Sequence, residues 1–383
     1  MATSKKAADK KILAQFKKTG ARIETKGRVS LKRSEDFSLY YTPGVGVAST
    51  HLASHPHDTR NLSVKKNSVA VISDGSAVLG LGNIGPYGAL PVMEGKALIF
   101  KELAGIDAWP IVLATQNPEE IIRTIIAIAP GWGGINLEDI AAPQCFEIER
   151  RVNEALDIPV MHDDQHGTAI VVLAGLMNAT KVVKKDFKKL RVVISGAGAA
   201  GTATAKLLLA SGVKDIIVLD RHGVIYKGRK AGMNDFKEEL AKLTNPRKVK
   251  GEIAVAMKDS DVFIGLSGKG LLHADHVRSM APKAIVFALA NPDPEILPEE
   301  ARRAGAYLIA TGRSDFPNQI NNALVFPGVF RGALDNKVKS ITEKMKLKAA
   351  HALASLVSRP SAQKVLPGIL DKRIVSTIAR TIR

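Results

Sequence analysis

Short apolar runs alternate with longer amphipathic segments along most of this chain, the rhythm of strands and helices taken in turn. In the first half, Val69-Ala70-Val71-Ile72, Ile111-Val112-Leu113, the run opening at Ile135 and the one after Pro159 read as buried strands. In the second half the runs 191–195, 216–219, 262–265, 284–289 and 307–310 read the same way. Helical spacing predicts helices over 10–18, 96–104, 142–156, 168–183 and 202–209, and a helical C-terminus interrupted near Leu366-Pro367-Gly368. Asn117-Pro118-Glu119-Glu120 is a helix start, with a capping side chain, proline at the first position and early carboxylates. That helix ends before Pro130-Gly131. Such alternation predicts an α/β protein whose parallel sheets are covered by helices on both faces.

Two of these runs close on carboxylates. Ile135-Asn136-Leu137 leads into Glu138-Asp139, and Met161-His162 leads into Asp163-Asp164 about 25 residues later. The carboxyl ends of strands are where α/β proteins place their ligands. Converging carboxylates repel unless a cation joins them, and an oxygen-only anionic cluster selects Mg²⁺ or Mn²⁺ rather than zinc. Taken singly, either pair reads equally well as a solvated strand end or a helix cap. A glycine motif suited to a dinucleotide, roughly 30 residues further along the chain, tips the balance toward the metal.

In that motif Arg191-Val192-Val193-Ile194-Ser195 runs into Gly196-Ala197-Gly198-Ala199-Ala200-Gly201, between a strand and a helix that Gly212 closes. The first glycine makes the turn, the second admits a pyrophosphate, and the third lets the helix pack on the strand. The next strand, 216–219, ends at Asp220, the spacing of a ribose-binding carboxylate. Asp220 favours NAD because it repels a 2′-phosphate, whereas Arg221 could pair with one; the balance leans slightly toward NAD, and either NAD or NADP fits. Asn291, at the tip of the run 284–289, can bond ribose or the nicotinamide amide without adding charge. Its alternative is an Asx turn before Pro292.

At 383 residues the chain predicts two domains. No apolar run reaches the roughly 18 residues of a membrane span. The Lys-rich start, residues 1–18, lacks the apolar core of a secretory signal, and Cys145 is the lone cysteine, which together predict a cytoplasmic protein. Cys145 itself reads as a small buried hydrophobe. The formal charge of +18 is spread over residues 5–18, 22–33, 181–191, 227–230 and 242–250. Dispersed charge with 5% aromatics offers few stacking platforms for nucleic acid, so a dedicated nucleic-acid role is not expected. A surface that steers anionic substrate and cofactor is the plainer account.

Several blocks together resemble the malic enzymes, especially their short prokaryotic type. They are Leu39-Tyr40-Tyr41-Thr42-Pro43-Gly44-Val45, residues 80–86 with Pro91-Val92-Met93-Glu94-Gly95-Lys96, residues 134–140, 162–170, 196–201 and 290–292, and Thr311-Gly312-Arg313-Ser314-Asp315 onward to Gly328. The resemblance implies oxidative decarboxylation of L-malate to pyruvate and CO₂ with NAD or NADP and a divalent metal. It implies Glu138, Asp139 and Asp164 as metal ligands, Lys96 as general base with Asp163 beside it, and Tyr41 as general acid. Asn322 is similar to the family's substrate-carboxylate asparagine, and Asn291 to its cofactor asparagine. The implied organisation is a catalytic domain of 1–162 with 323–383, a Rossmann domain of 163–322 and a homodimer. A lysine with an ordinary pKa of about 10.4 is a poor base at neutral pH, so burial and the metal are expected to depress it. Asp163 would oppose that shift and is expected to relay protons or orient Lys96.

Two departures stand out. Gly46-Val47-Ala48-Ser49-Thr50-His51 replaces the family's usual continuation after Val45, and Ala77 stands where larger relatives carry a carboxylate-clamping arginine. Arg313 is the candidate to replace that clamp. The rival expectations are a malolactic or non-decarboxylating dehydrogenase, and a non-catalytic basic nucleic-acid-binding protein.

Overall fold

The computed structural model describes residues 2–383, with side chains from Ala7 onward. The first sheet holds β1 (Ser68–Ser73), β2 (Asp107–Val112), β3 (Gly134–Leu137) and β4 (Val160–His162), all parallel, in the order β2-β1-β3-β4. Every position of β1 and β3 is buried, as central strands covered on both faces require. β2 carries Pro110 and lies at the edge, where a missing amide hydrogen disrupts no second ladder.

The second sheet holds β5 (Arg191–Ser195), β6 (Asp215–Asp220), β7 (Gly223–Val224), β8 (Val262–Gly265), β9 (Ile285–Ala288) and β10 (Leu308–Thr311). Its order, β10-β9-β8-β5-β6-β7, reverses direction at β5, giving a doubly wound sheet with its switch point between β5 and β8. The expectation of parallel strands fails only at β7, which pairs antiparallel with β6. Two residues separate them, whereas a parallel return needs a crossover of a dozen or more.

An exposed N-terminal arm comprises α1 (Ala2–Thr19), α2 (Ser34–Tyr40) and α3 (Gly44–Ser54), and α2 and α3 bury no residue. The connections between the first four strands are α4 (Gly85–Ala104), α5 (Pro118–Ile128) and α6 (Gln144–Ala155). The α5 start is as the sequence predicts, the Asn117 side chain accepting from the Glu119 and Glu120 amides. In contrast α4 begins well before Lys96, carrying Pro91 inside it. A proline removes one helical hydrogen bond, but here burial of Ala89, Met93 and Ala97 holds the helix across the gap.

The chain passes between the sheets through α7 (Asp163–Val183). It starts five residues before the apolar pattern does, so Asp163 and Asp164 occupy its first turn rather than a strand end. Negative charge is favoured there by the helix dipole. By length and composition α7 could cross a membrane. Instead its apolar residues join one core that runs from Val69 and Val71 of β1 to Val192 and Ile194 of β5. Beyond it come α8 (Ala199–Ala210), α9 (Asp235–Leu243), α10 (Phe326–Asp335), α11 (Glu343–Ser355) and α12 (Arg373–Ala379). α10 returns to the first sheet's side, where Phe326 and Phe330 meet Phe100 of α4 edge-on at 4.7 and 5.4 Å.

Candidate active site

The carboxyl ends of β1, β3 and β4 converge on one cavity of about 470 Å³. Glu138 leaves β3 with its amide still donating to Ile72 O at 2.9 Å. Asp139 then turns the chain through a left-handed conformation, φ 54°, which aspartate tolerates better than most residues. Its carbonyl accepts from the Ala77 amide at 2.9 Å, its Oδ1 from the Leu79 amide at 3.3 Å, and its own amide donates to Asp164 Oδ2 at 2.8 Å. That last bond ties the end of β3 to the start of α7.

Lys96, 8% exposed on α4, points its ammonium between Asp163 and Glu138. Nζ lies 2.9 Å from Glu138 Oε1, donates to Asp163 Oδ2, and sits 4.4 Å from the centre of the Phe326 ring. Glu138 Oε2 accepts from Asn136 Nδ2 at 3.0 Å. Gly167 makes room behind, since a Cβ there would overlap Asp163 Oδ1. Lys96, Glu138, Asp139, Asp164, Asn291 and Asn322 all line the cavity, together with Asn321, Phe326 and Ala200 of the glycine turn.

One oxygen from each of Glu138, Asp139 and Asp164 lies within 4.8 Å of the others. Burial, then the charge of Asp164, pushes the Asp139 carboxyl up to about 8. Burial likewise raises Glu138 well above the carboxylate range, although Lys96 opposes it. Asp139 Oδ2 is buried with no hydrogen-bond partner. Three crowded oxygen donors, two of them (Glu138 and Asp139) held above their ordinary pKa values and one lone oxygen unanswered, suit a hard divalent cation. At Lys96 the balance differs from the sequence expectation. Burial does push its pKa down, but Asp163, then Glu138 and Asp164, outweigh it and hold the ammonium above the usual lysine range.

A second cavity, about 880 Å³, is lined by Gly196, Ala197, Gly198, Asp220, Arg221 and Lys237, and Ser267 lines both cavities. Gly196 has φ 115°, and a Cβ there would overlap Leu266 O. A Cβ on Gly201 would overlap Gly196 O, so α8 approaches β5 only because that residue is glycine. Ala199 opens α8, leaving its first amides free for an anion. Asp220 is not an open acceptor. It takes bonds from Arg229 at 2.8 and 2.6 Å, Lys237 at 2.7 Å and the His222 amide at 2.8 Å. Burial raises its pKa, but Arg229 and Lys237 prevail and hold the carboxyl below its ordinary value.

Two candidates lie elsewhere. Tyr41 follows α2 in the N-terminal arm, is 58% exposed and does not line the cavity. Arg313 is held by Asp315 at 2.6 and 2.8 Å and by Pro292 O at 3.1 Å, and it too is off the cavity wall. The departing segment 46–51 is part of exposed α3, with His51 bonded to Asp58 at 2.7 Å. Cys145 is buried, and burial pushes its thiol up, as a packing role requires.

Supporting residues escaped the sequence reading. Glu295 accepts from the Ser267 and Ala290 amides at 3.0 and 3.1 Å, fixing the loop that carries Asn291. Glu149 of α6 accepts from the His162 amide at 2.8 Å, Gln165 at 3.1 Å and His166 at 2.9 Å, bracing the start of α7. Only the strand-end position of Asn291 hinted that its loop would need such a brace.

Comparison with known proteins gives consistent matches. Residues 20–121 match the family model described as malic enzyme, N-terminal domain, and residues 165–382 the one described as malic enzyme, NAD binding domain. The chain is 52% identical over 365 residues to the NAD-dependent malic enzyme of Geobacillus stearothermophilus, covering 95% of this chain and 76% of that protein. It is 51% identical over 363 residues to the bifunctional malic/malolactic enzyme of Bacillus subtilis, covering 94% and 88%. The crystal structure of the NAD-dependent malic enzyme of Thermotoga maritima superimposes with a TM-score of 0.93 at 44% identity, covering 97% of this chain and 98% of that one.

Proposed function

This chain belongs to the malic enzyme family, and from that premise we propose how its cavity oxidatively decarboxylates L-malate to pyruvate and CO₂. It is an NAD(P)-dependent malic enzyme. The observation carrying the site assignment is the buried Lys96 set between Asp163 and Glu138, on a cavity shared with Asp139, Asp164, Asn291 and the first turn of α8.

We assign Glu138, Asp139 and Asp164 to Mg²⁺ or Mn²⁺, which when bound supplies positive charge for the hydroxy-acid oxygen and for the electron pair left by departing CO₂. NAD or NADP, when bound, accepts the hydride from C2. Lys96 receives the C2 hydroxyl proton once it has released its own. Asp163 is in contact to take that proton, and its Oδ1 is buried without a partner. Phe326 keeps water from the ammonium and interacts with it through its ring face. Asn322, with Asn321 beside it, anchors a malate carboxylate in place of Arg313, and Asn291 holds the cofactor.

Tyr41 is assigned the proton delivered to C3. Because it stands off the cavity wall on an arm exposing Phe37, Leu39, Tyr40 and Val47, it serves the cavity of a second subunit. A cytoplasmic homodimer is the corresponding assembly. Residues 1–162 with 323–383 form the catalytic unit, and 163–322 the dinucleotide unit. With Asp220 occupied and the cations of Arg221 and Lys237 facing the same cavity, a 2′-phosphate is accommodated, so NADP is used as well as NAD.

Incubation with L-malate, Mn²⁺ and either dinucleotide, with pyruvate, lactate, CO₂ and reduced cofactor all quantified, tests the assignment. Pyruvate and reduced cofactor in equal amounts are expected. Lactate without net reduced cofactor would make it a malolactic enzyme. Salt-sensitive DNA binding without any turnover would remove it from catalysis.

A further inference from the structure

Another charged cavity, about 420 Å³, is lined by Arg28, Arg60, Lys65, Lys66, Arg331 and Lys337, with Asp335 the single carboxylate on its wall. Asn67 and Gly105 also line it, and they precede β1 and β2. It therefore sits at the amino ends of the first sheet's strands, opposite the carboxyl ends that carry Glu138 and Asp163. None of its residues lines the catalytic or dinucleotide cavity.

Two of the six cations are answered, Arg28 by Asp107 at 2.5 Å and Arg331 by Asp335 at 2.6 Å. Arg60, Lys65, Lys66 and Lys337 have no ion pair among the described residues. Arg60 Nη1 and Arg331 Nε are moreover shut off from solvent with no hydrogen-bond partner. Arg331 is otherwise engaged, Nη1 donating to Asn67 Oδ1 at 2.7 Å and Nη2 to Asp335. Buried donors are almost always satisfied, and like charges gathered around a hollow repel. An anion in the hollow removes both defects at once.

We propose that this cavity binds a small polyanion, a phosphorylated or polycarboxylate metabolite, whose oxygens accept from Arg60 and Arg331 while the lysines balance its charge. Guanidinium groups suit such oxygens because their planar donors match phosphate and carboxylate geometry. The volume falls within the roughly 300–1,000 Å³ of small-molecule sites. The ligand would lie against α10, the helix whose first residue is the Phe326 beneath Lys96.

The test is calorimetric titration of the full chain, metal-free and at constant ionic strength, with inorganic pyrophosphate and separately with citrate. One saturable site with a Kd below about 1 mM is expected for at least one probe, and whichever binds tells phosphate from carboxylate chemistry. Arg60→Ala is expected to weaken that binding at least about tenfold, as loss of a charge-assisted donor does. Should Arg60→Ala fail to fold, the pair Lys65→Ala with Lys66→Ala, neither of them buried, carries the same expectation. Absence of saturable binding by both probes, or wild-type affinity in the folded variants, overturns the site. If no probe binds while Arg60→Glu dissociates the oligomer, the proposal also fails and the cavity is a contact between copies.

Discussion

Lys96 has an acid on two sides and an aromatic ring on a third, so nearly everything about its chemistry depends on its neighbours. Lys96→Ala is expected to lower kcat about 10²–10⁴-fold for malate oxidation and for oxaloacetate decarboxylation, the span of a lost general base. Steady-state kinetics on the folded variant checks both, and unchanged turnover would end the assignment. At the other cavity, Lys237→Ala is expected to raise the Kd for 2′,5′-ADP about tenfold while leaving that for 5′-ADP nearly unchanged, since only the former presents a 2′-phosphate to a cation. Equal effects on both would give Lys237 a purely structural role at Asp220. Lys96, Glu138, Asp139, Asp164 and Asn322 were legible as candidates because each lies in a short contiguous block. Phe326, Glu149 and Glu295 were not, because what makes them matter is a contact with a segment distant in the chain.

Two junctions between strand and helix carry the site, and each depends on a glycine. At the β5–α8 turn, a Gly201 methyl would overlap the Gly196 carbonyl, so Gly201→Ala is expected to push α8 away from β5 and abolish dinucleotide binding. Intrinsic-fluorescence titration with NADH would show it, and normal affinity would contradict it. At the β4–α7 junction the sequence misplaced the helix start, because Asp163-Asp164-Gln165-His166-Gly167 lacks apolar spacing. Glu149 stabilises that turn from outside it. Burial raises its pKa, yet His166, with Lys346 and His162, brings the carboxyl down to about 2. A depressed folded-state pKa means its contribution is fully present above the ordinary value near 4.5 and disappears as the pH falls toward 2. The loss amounts to something on the order of 3 kcal/mol. Glu149→Gln is expected to be less stable at neutral pH and to lose less stability between about pH 5 and 3, measured by denaturant unfolding. Parallel pH profiles for the two proteins would exclude the role.

As a whole molecule, the chain holds its proposed catalytic lysine inside and its proposed catalytic tyrosine outside. If Tyr41 acts across subunits, mixing inactive Tyr41→Phe with inactive Lys96→Ala under exchange conditions restores activity, because one site in a hybrid dimer then has both groups. A particle of about twice 40.9 kDa should accompany it. Persistent inactivity in a mixture shown by light scattering to contain hybrids would count against the arrangement. Local pattern alone determined most of the elements, their parallel stacking, the paired carboxylates and the glycine turn, because periodicity and turn chemistry depend on residues adjacent in the chain. Tertiary structure alone decided that Glu138 joins Asp163 in flanking Lys96, that Arg229 and Lys237 occupy Asp220, and that Tyr41 is left exposed. Those outcomes turn on which distant segments meet once α7 is buried between the two sheets, and no short stretch of residues encodes such a meeting.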